Sequence, residues 1–267
     1  MARLVLIDLD GTLLTRTQDV PPSAQAACRE AREAGHILAM CTGRSTPEIY
    51  PWLWDLGFSA VIGGSGAYVE IDGQVIRDER IDRADIESVN KVLSRNECLW
   101  VWQSSEAMHP SADYLSVFPG KDPDWVPYMR QIEPYLRSGI PDSASKCAFL
   151  APRAGIFEAM SSQLDERFDI IGGSVGTADA RVGEILKAQC HKLTGAHVLC
   201  GHLGISISDV VGIGDSPNDR ELLAGVGTSI AMGNGSEDVK AIASWVTSPV
   251  DEDGLARAFE YAGLITR

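Results

Sequence analysis

Residues 4–14 have the sequence LVLIDLDGTLL, in which a short apolar run ends in two carboxylates and a glycine. An uninterrupted apolar run of this kind is typical of a parallel β-strand that is buried on both faces. Alternate residues of an extended segment share one face, so Asp8 and Asp10 can address the same site if the strand geometry persists. The pair therefore directs attention to the carboxyl end of a buried strand, where open α/β sheets bind their ligands.

Helical and extended patterns alternate on both flanks of the chain. The first flank predicts a helix from Pro22 to about Gly35, a strand over 36–41, a helix starting near Thr46, a strand over 59–62 and a hairpin over 67–77. The second flank predicts strands over 210–213, 228–232 and 245–247 and helices over 218–224 and 237–243. This alternation predicts an α/β fold with a doubly wound, Rossmann-like parallel sheet.

The middle of the chain has a different character. Residues 82–183 are rich in tryptophan and proline and lack the alternation of strand and helix. A segment of about 100 residues is large enough to fold as a separate domain. We therefore predict a discontinuous core over residues 1–81 and 184–267, with an α+β cap domain of residues 82–183 inserted into it.

The charge balance argues against several classes of partner. The chain of 267 residues has 37 acidic and 23 basic side chains, which gives a formal net charge of −14. Such an excess of carboxylates repels phosphate backbones and anionic membranes, so we expect neither nucleic acid nor membrane partners. The apolar run before Asp8 is too short for a signal peptide, and no segment approaches the roughly 18 apolar residues of a membrane-spanning helix. We expect a cytoplasmic protein.

A second acidic cluster lies at residues 214–219, which read GDSPND. Asp215 and Asp219 fall at a strand end and a helix start, where paired carboxylates beside an amide suit a hard cation such as Mg²⁺. Ordinary helix capping by Ser216 explains this motif alone equally well. However, both acidic clusters end strands of one predicted sheet, so their four carboxylates can converge, and like charges at one place need a cation.

Three further segments offer groups for an anion. Thr42 and Gly43 follow the second predicted strand, where a hydroxyl and a flexible backbone suit a phosphate oxygen, although a plain turn explains the pair as well. Gly11 and Thr12 offer backbone N–H groups. Lys192 alone is typical of a solvated surface lysine.

Taken together, the motifs resemble the haloacid dehalogenase-like (HAD) phosphohydrolase superfamily, in its Cof-like group of small-metabolite phosphatases. Residues 8–14 match the first family motif, residues 42–44 the second and residues 214–219 the fourth. Lys192 takes the position of the third motif by its spacing from Glu184 and Ile205. The resemblance covers residues 1–81 and 184–267, and the middle resembles the family in being a cap inserted between the second and third motifs.

The resemblance implies a phosphatase that forms an aspartyl-phosphate, with Asp8 as nucleophile and Asp10 as general acid and then base. It implies that Mg²⁺ is held by Asp8, the main-chain carbonyl of Asp10 and Asp215, with Asp219 binding directly or through water. The implied phosphate-binding residues are Thr42, Gly43, Lys192, Asn218, Gly11 and Thr12. The expected partner is a small phosphorylated metabolite, and the chain is expected to be a monomer or a dimer.

Two departures from the family pattern leave alternatives open. Leu193 stands where the family usually has a glycine after the motif-three lysine, so Lys187 is a rival for that position. Residues 65–67 read SGA where the family often has Asn-Gly-Ala, so a residue that commonly faces the substrate is a serine here. The second departure concerns the identity of the substrate rather than the type of reaction.

Other functions use related residues. A phosphorylation-switched receiver also uses Asp, Mg²⁺, Thr and Lys on a doubly wound sheet, but receivers are about half this length and lack the Asp8-x-Asp10 pattern. Among enzymes, a sugar phosphomutase is the alternative to a phosphatase. For the substrate we favour a sugar or amino-sugar phosphate, with a cofactor phosphate such as pyridoxal phosphate or FMN as the alternative.

Overall fold

The computed structural model describes residues 3–117, 125–153, 155–172 and 181–266. Its strands in chain order are β1 Leu4–Ile7, β2 Ile37–Cys41, β3 Ala60–Gly63, β4 Tyr68–Ile71, β5 Gln74–Asp78, β6 Ile81–Asp82, β7 Leu99–Gln103, β8 Met108–Pro110, β9 Ser143–Ala144, β10 Lys146–Ala151, β11 Phe168–Gly172, β12 Arg181–Lys187, β13 Val211–Gly214, β14 Thr228–Ala231 and β15 Trp245–Val246. Its α-helices are α1 Pro22–Glu33, α2 Arg83–Arg95, α3 Tyr114–Val117, α4 Val126–Ile132, α5 Ile156–Ser161, α6 Lys192–Leu203, α7 Arg220–Gly225, α8 Glu237–Ile242 and α9 Gly254–Tyr261.

Two compact units make up the chain. The first contains Met1–Gly43, Pro51–Arg77 and His191–Arg267, and the second contains Arg44–Tyr50 and Asp78–Cys190. The sequence placed the boundaries at residues 81/82 and 183/184. The difference at the second boundary has a simple cause: β12 runs across residue 184 and pairs along its length with β10 and β11, so it joins the second unit as a whole.

The first unit contains an eight-stranded sheet in the order β15-β14-β13-β1-β2-β3-β4-β5. Strands β15 to β3 of this order pair in parallel, and β4 returns antiparallel to β3. The chain therefore winds outward from β1 in both directions, which confirms the predicted doubly wound α/β sheet. Ligand sites of such sheets lie beyond the carboxyl ends of the strands where the winding direction changes, here between β1 and its neighbours.

Burial explains why β1 is central. All four of its residues are fully buried, as a strand covered on both faces requires. Leu4 and Leu6 pack in one cluster with Ala196 and Leu199 of α6. The apolar run in the sequence thus fixes β1 in the middle of the sheet and places Asp8 immediately beyond its end.

The second unit is an α+β arrangement. Its main sheet has the order β11-β12-β10-β7-β8, and each strand pairs antiparallel with its neighbours. Ile86, Val89 and Leu93 of α2 pack with Trp102 and Phe149 on one face of this sheet. The inserted α+β unit expected from the sequence is therefore present as a compact body with its own core.

The helix predicted near Thr46 is wrong. Near Thr46 the chain forms short 3₁₀ turns over Thr46–Glu48 and Pro51–Leu56 instead of an α-helix. Ile49 between them is extended, with φ −86° and ψ 124°. Tyr50 precedes Pro51, a position that disfavours the helical region, and Pro51 cannot donate a backbone hydrogen bond, so the two turns do not join into one α-helix. At the end of the second flank the structure adds helix α9, which the sequence did not predict.

The start of α6 is held by its packing on α7. A methyl group at Gly225 of α7 would lie 2.5 Å from Cδ2 of Leu193, so the leucine side chain occupies the space that the glycine leaves. Leu193 also packs against the buried cluster that contains Leu222. The residue that departs from the family pattern therefore faces α7, and it fixes the helix turn that carries Lys192.

None of the helices in the described residues combines the length and the apolar character that a membrane span requires.

We predict that Gly225→Ala destabilises the protein by about 1–3 kcal/mol, because the added methyl overlaps Leu193. In the double variant Leu193→Ala/Gly225→Ala the overlap is absent, so the combined loss is smaller than the sum of the two single losses. Urea unfolding of the four proteins measures this coupling. Gly201→Ala is the matched control, since Gly201 is exposed on α6 and an added Cβ would meet no neighbouring group within 4 Å, so alanine there should stabilise the helix. Strict additivity would contradict the proposed packing.

Candidate active site

The site forms where β1, β13 and α6 meet. Asp8 follows β1, Asp215 follows β13, and Lys192 is the first residue of α6. Asp219 ends the short 3₁₀ turn Pro217–Asp219 that precedes α7. Because β1 and β13 pair in parallel, with Ile7 opposite Ile213, their carboxyl ends place Asp8 and Asp215 side by side.

Lys192 links two of these carboxylates. Its Nζ donates to Asp8 Oδ1 at 2.6 Å and to Asp219 Oδ1 at 2.5 Å. The side chains of Lys192 and Asp219 are fully buried and that of Asp8 is 5% exposed. A buried ammonium that is hydrogen-bonded to two carboxylates is a strong electrostatic anchor, since its loss would leave two buried charges without a partner.

The titration behaviour of the cluster reflects burial and crowding. Burial raises the pKa of Asp8 well above its usual range, against the lowering effect of Lys192, and Asp219 and Asp215 raise it further. Burial and the nearby Asp219 raise the pKa of Asp215 from 3.8 to about 7. Burial alone would lower the pKa of Lys192, but Asp219 and Asp8 raise it overall, so the ammonium stays charged.

Asp8, Asp215 and Asp219 fit a metal ion. One carboxylate oxygen from each lies within 4.8 Å of the others. Three ionised carboxylates against one ammonium would leave an excess of two negative charges in a buried place, and this crowding adds to burial in raising the pKa values of Asp8 and Asp215. A hard divalent cation with a preference for oxygen ligands would relieve this excess.

Asp215 is also held by the loop after β1. Thr12 Oγ1 donates to Asp215 Oδ1 at 3.1 Å, and Thr12 is fully buried. Gly11 has φ +84° and lies so close to the carboxylate of Asp215 that a Cβ at this position would overlap it. Only glycine fits at position 11 for two reasons: the backbone is left-handed there, and the Asp215 carboxylate occupies the space that a Cβ would need.

Asp10 lies in the same loop and is partly buried. It forms an isolated β-bridge with Leu14, and its charge contributes to raising the pKa of Asp215. Both members of the Asp8-x-Asp10 pair are therefore near Asp215, although only the first of them belongs to the group of three carboxylates that could hold a metal.

The amides of Gly11 and Thr12 were expected to bind phosphate. In the structure Gly11 N donates to Leu14 O at 2.9 Å and Thr12 N donates to Leu9 O at 3.3 Å. Both N–H groups donate within the turn of residues 9–14, and the hydroxyl of Thr12 donates to Asp215. We therefore assign these two residues to the shape of the loop.

Thr42 follows β2, the other neighbour of β1, and is 1% exposed. Its N–H donates to Ile62 O at 2.8 Å, and its carbonyl accepts from Ser65 N at 3.0 Å. Gly43 comes next and is partly buried. Ser65 is buried with φ 54°, so the turn that replaces the family's Asn-Gly-Ala is held tightly beside Thr42.

The segment after β13 forms a small hydrogen-bonded turn. Asp219 Oδ2 accepts from the amides of Asp215 and Ser216, both at 3.0 Å. Ser216 Oγ donates to Asn218 Oδ1 at 2.8 Å, which leaves the amide nitrogen of Asn218 as its donor group. Capping and clustering of carboxylates, the two alternatives for this motif, therefore occur together.

The two candidate lysines have different surroundings. Lys192 is buried against Asp8 and Asp219, whereas the Lys187 side chain is 51% exposed and pairs with Glu79 at 2.5 Å within the second unit. Of the two, Lys192 is therefore the lysine that lies among the carboxylates of the site.

Asn234 is a positioning residue that the sequence did not assign. Its Nδ2 donates to Gly11 O at 2.8 Å, and its Oδ1 accepts from Val250 N at 2.8 Å. The side chain thereby ties the loop after β14 to the loop that follows Asp8. No local pattern in the sequence signals this contact, because the two loops are 223 positions apart in the chain.

Comparison with known proteins gives matches along the whole chain. A family model described as haloacid dehalogenase-like hydrolase matches residues 5–259. The protein YkrA of Bacillus subtilis (strain 168) is 26% identical over 274 residues, covering 99% of each chain. The 5-amino-6-(5-phospho-D-ribitylamino)uracil phosphatase YwtE of the same organism is 26% identical over 276 residues, covering 95% of this chain and 96% of YwtE.

Solved structures share the fold. The HAD subclass IIB sugar phosphatase BT4131 superposes with a TM-score of 0.81 at 20% identity, covering 99% of this chain and 100% of that chain. The matches therefore include both compact units.

We predict that Asp215→Asn gains stability relative to the wild type as the pH rises from about 4 to 8 in metal-free buffer. An acid whose pKa is raised on folding, here from 3.8 to about 7, contributes stability at low pH that is lost as it ionises in the folded state. Asparagine does not ionise, so it escapes this loss. Urea unfolding at several pH values measures the difference, with the exposed Asp251→Asn as control. A difference that stays constant with pH would contradict the crowding of the cluster.

Proposed function

The chain belongs to the haloacid dehalogenase-like hydrolases and is a phosphatase of their Cof-like group, and on this premise we propose that it hydrolyses a small-metabolite phosphate monoester with Asp8 as nucleophile and Mg²⁺ as cofactor. The observation that carries the proposal is the buried Asp8 carboxylate, which contacts Lys192 and lies beside Asp215 and Asp219.

Asp8 is suited to attack phosphorus. It lies beyond the end of a rigid central strand, and Lys192 fixes one of its oxygens. An Asp8 oxygen forms a bond to phosphorus as the bond to the leaving oxygen breaks, which gives an aspartyl-phosphate. Water then attacks the same phosphorus atom, and inorganic phosphate and the Asp8 carboxylate are released.

Asp10 is proposed as the general acid and base. It follows Asp8 by two residues in a loop that the glycine turn re-aims, and it is partly buried, so a leaving group can reach it. It would protonate the departing alkoxide and then accept a proton from the attacking water. Proton transfer of this kind separates a phosphatase from an enzyme whose leaving group needs no proton.

Mg²⁺ fits the carboxylates described above. Asp8, Asp215, Asp219 and the main-chain carbonyl of Asp10 are the proposed ligands, with Asp219 binding directly or through water. When bound, the ion would neutralise the negative charge of the phosphoryl oxygens and of the carboxylates.

The phosphoryl oxygens are proposed to contact four residues. Lys192 supplies a fixed positive charge, Thr42 a hydroxyl, Gly43 flexible backbone and Asn218 an amide donor. Positioning and charge neutralisation dominate phosphoryl transfer, so a set of rigid donors at the strand ends supports this chemistry.

A sugar or amino-sugar phosphate is the proposed class of substrate. YwtE is named for a substrate with a phosphorylated ribityl chain, and BT4131 is named as a sugar phosphatase. Both names describe phosphate esters of carbon chains that carry several hydroxyl groups.

We predict that Asp8→Asn lowers kcat for phosphate release by a factor of about 1,000 or more, because an amide oxygen is a poor nucleophile. Wild-type protein quenched in acid during turnover should carry phosphate on Asp8, which peptide mass spectrometry can locate. The exposed Asp55→Asn should retain full activity. Substantial phosphate release by Asp8→Asn would place the nucleophile elsewhere.

We also predict that EDTA abolishes phosphate release and that added Mg²⁺ restores it. Asp215→Asn should need about tenfold more Mg²⁺ for half-maximal rate, since a neutral amide replaces a charged ligand. Rates measured across a series of Mg²⁺ concentrations provide the comparison. Activity that is indifferent to chelation would refute the metal assignment.

A further inference from the structure

One loop of the first unit contacts both loops that carry the acids of the site. This loop, residues 232–236 after β14, is called the β14 loop. Its main chain is bonded to the segment after β13: Ser236 N donates to Asp215 O at 2.8 Å, and Met232 N donates to Gly214 O at 2.9 Å. The β14 loop is therefore fixed against the segment that carries Asp215.

The packing at this contact is close. A Cβ at Gly235 would lie 2.9 Å from Asp215 O, so glycine is needed where the two main chains meet. The β14 loop is also bonded to the segment after β15, since Gly233 N donates to Ser248 O at 3.1 Å. Main-chain contacts thus hold the loop on two sides, and these contacts do not depend on a side chain.

Asn234 extends the fixed β14 loop to the loop after β1. Its Nδ2 donates to Gly11 O at 2.8 Å, and its Oδ1 accepts from Val250 N at 2.8 Å. The second bond sets the orientation of the amide, so that its NH₂ group faces Gly11. Because Gly11 directly follows Asp10, the side chain connects a firmly held loop to the residue beside the proposed acid and base.

Two other acids of the site have anchors of their own. Asp8 comes directly after the buried strand β1, and Lys192 donates to its carboxylate at 2.6 Å. Asp215 accepts from the hydroxyl of Thr12, which is fully buried. These bonds remain when the amide contact to the β1 loop is removed, so the effect of its removal should fall on Asp10.

We propose that Asn234 is a positioning residue for Asp10: by holding Gly11 O, it keeps the Asp10 carboxyl where it can protonate the leaving group. The inference rests on the proposed phosphatase function. In the step concerned, an Asp8 oxygen bonds to phosphorus and the bond from phosphorus to the ester oxygen breaks. The ester oxygen takes the proton of the Asp10 carboxyl, which becomes a carboxylate. Because proton transfer needs hydrogen-bond distance, a small displacement of this carboxyl slows the step.

Leaving groups differ in their need for this proton. The alkoxide of glucose must be protonated as it departs from glucose 6-phosphate, whereas p-nitrophenolate leaves p-nitrophenyl phosphate as a stable anion. Both esters carry the same phosphate group, so the ratio of their kcat/KM values separates proton donation from phosphate binding and from attack by Asp8. The comparison uses kcat/KM because this quantity covers the steps up to formation of the aspartyl-phosphate.

With saturating Mg²⁺, Asn234→Ala should lower kcat/KM for glucose 6-phosphate about tenfold and leave p-nitrophenyl phosphate within twofold of wild type. Asn234→Asp keeps the acceptor for Val250 N but has no N–H for Gly11 O, so it should shift the ratio in the same direction. Its added charge acts on both esters alike and cancels in the ratio. The matched control is Gln74→Ala, which removes an exposed amide elsewhere in the first unit and should leave the ratio unchanged.

A purely structural role for Asn234 gives a different result. The side chain is exposed, so water can replace both of its hydrogen bonds and we expect the variants to fold. A general loss of structure would lower the kcat/KM values of both esters in proportion. Equal losses on both esters, or no loss on either, would overturn the inference.

Hydrogen–deuterium exchange tests the contact without the reaction. Gly11 N and Thr12 N donate within the loop of residues 9–14, so their exchange reports on the stability of that loop. In Asn234→Ala the peptide over residues 9–14 should exchange about three- to tenfold faster, because one hydrogen bond to the loop is lost. The peptide over β1 should be unchanged.

The outcomes distinguish the two proposals. If wild type hydrolyses neither ester, the phosphatase proposal fails; faster exchange in Asn234→Ala then still supports the holding of the loop, and unchanged exchange refutes it. If both esters are hydrolysed and neither the exchange nor the ratio changes, the phosphatase stands and positioning by Asn234 does not. If only p-nitrophenyl phosphate is hydrolysed, glycerol 3-phosphate replaces glucose 6-phosphate as the ester with an alkoxide leaving group.

Discussion

The contact of Lys192 with Asp8 and Asp219 is the interaction on which the site depends. It joins the start of α6 to the end of β1 and to the turn after β13, and all three parts are buried. In such a place each charge needs a partner, so the ammonium specifies where both carboxylates must lie. The third carboxylate, Asp215, is held by Thr12 and exceeds what one lysine can balance. The site is therefore held in place but keeps uncompensated negative charge, which suits it to bind a cation and, with that cation, an anionic substrate.

The net charge of −14 describes the whole chain and not the potential at the site. A protein with so many carboxylates would be expected to repel a phosphate ester. The buried Lys192 and a cation on the three aspartates would reverse the sign of the potential at the strand ends. Local charge would therefore bind the phosphate despite the negative charge of the whole chain.

Much of this could be predicted from sequence because it is local. Buried strands such as β1 are apolar runs that lead directly into the acids at their ends, so the α/β fold was foreseeable. Because parallel strands of one sheet end at the same edge, the convergence of Asp8 and Asp215 was foreseeable as well. Other contacts between distant segments were not: Asn234 reaches Gly11 across 223 positions, and no local pattern signals this. The helix expected near Thr46 failed because two prolines divide the segment. Lys146 of β10 and Glu184 of β12 form a buried ion pair that only the register of the two antiparallel strands brings together, so no pattern within either strand signals it.

The first unit is built from three separate segments of the chain, and this arrangement affects the order in which the protein can fold. Val5 of β1 pairs with Val211 of β13, and Asp8 and Lys192 are 184 positions apart. During synthesis the N-terminal strands lack one neighbour of β1 until β13 emerges, whereas Asp78–Cys190 is already continuous. Contacts over such separations carry a large loop-closure entropy and form late. We therefore expect the acidic cluster to be assembled late in folding, after β13 has joined the sheet beside β1.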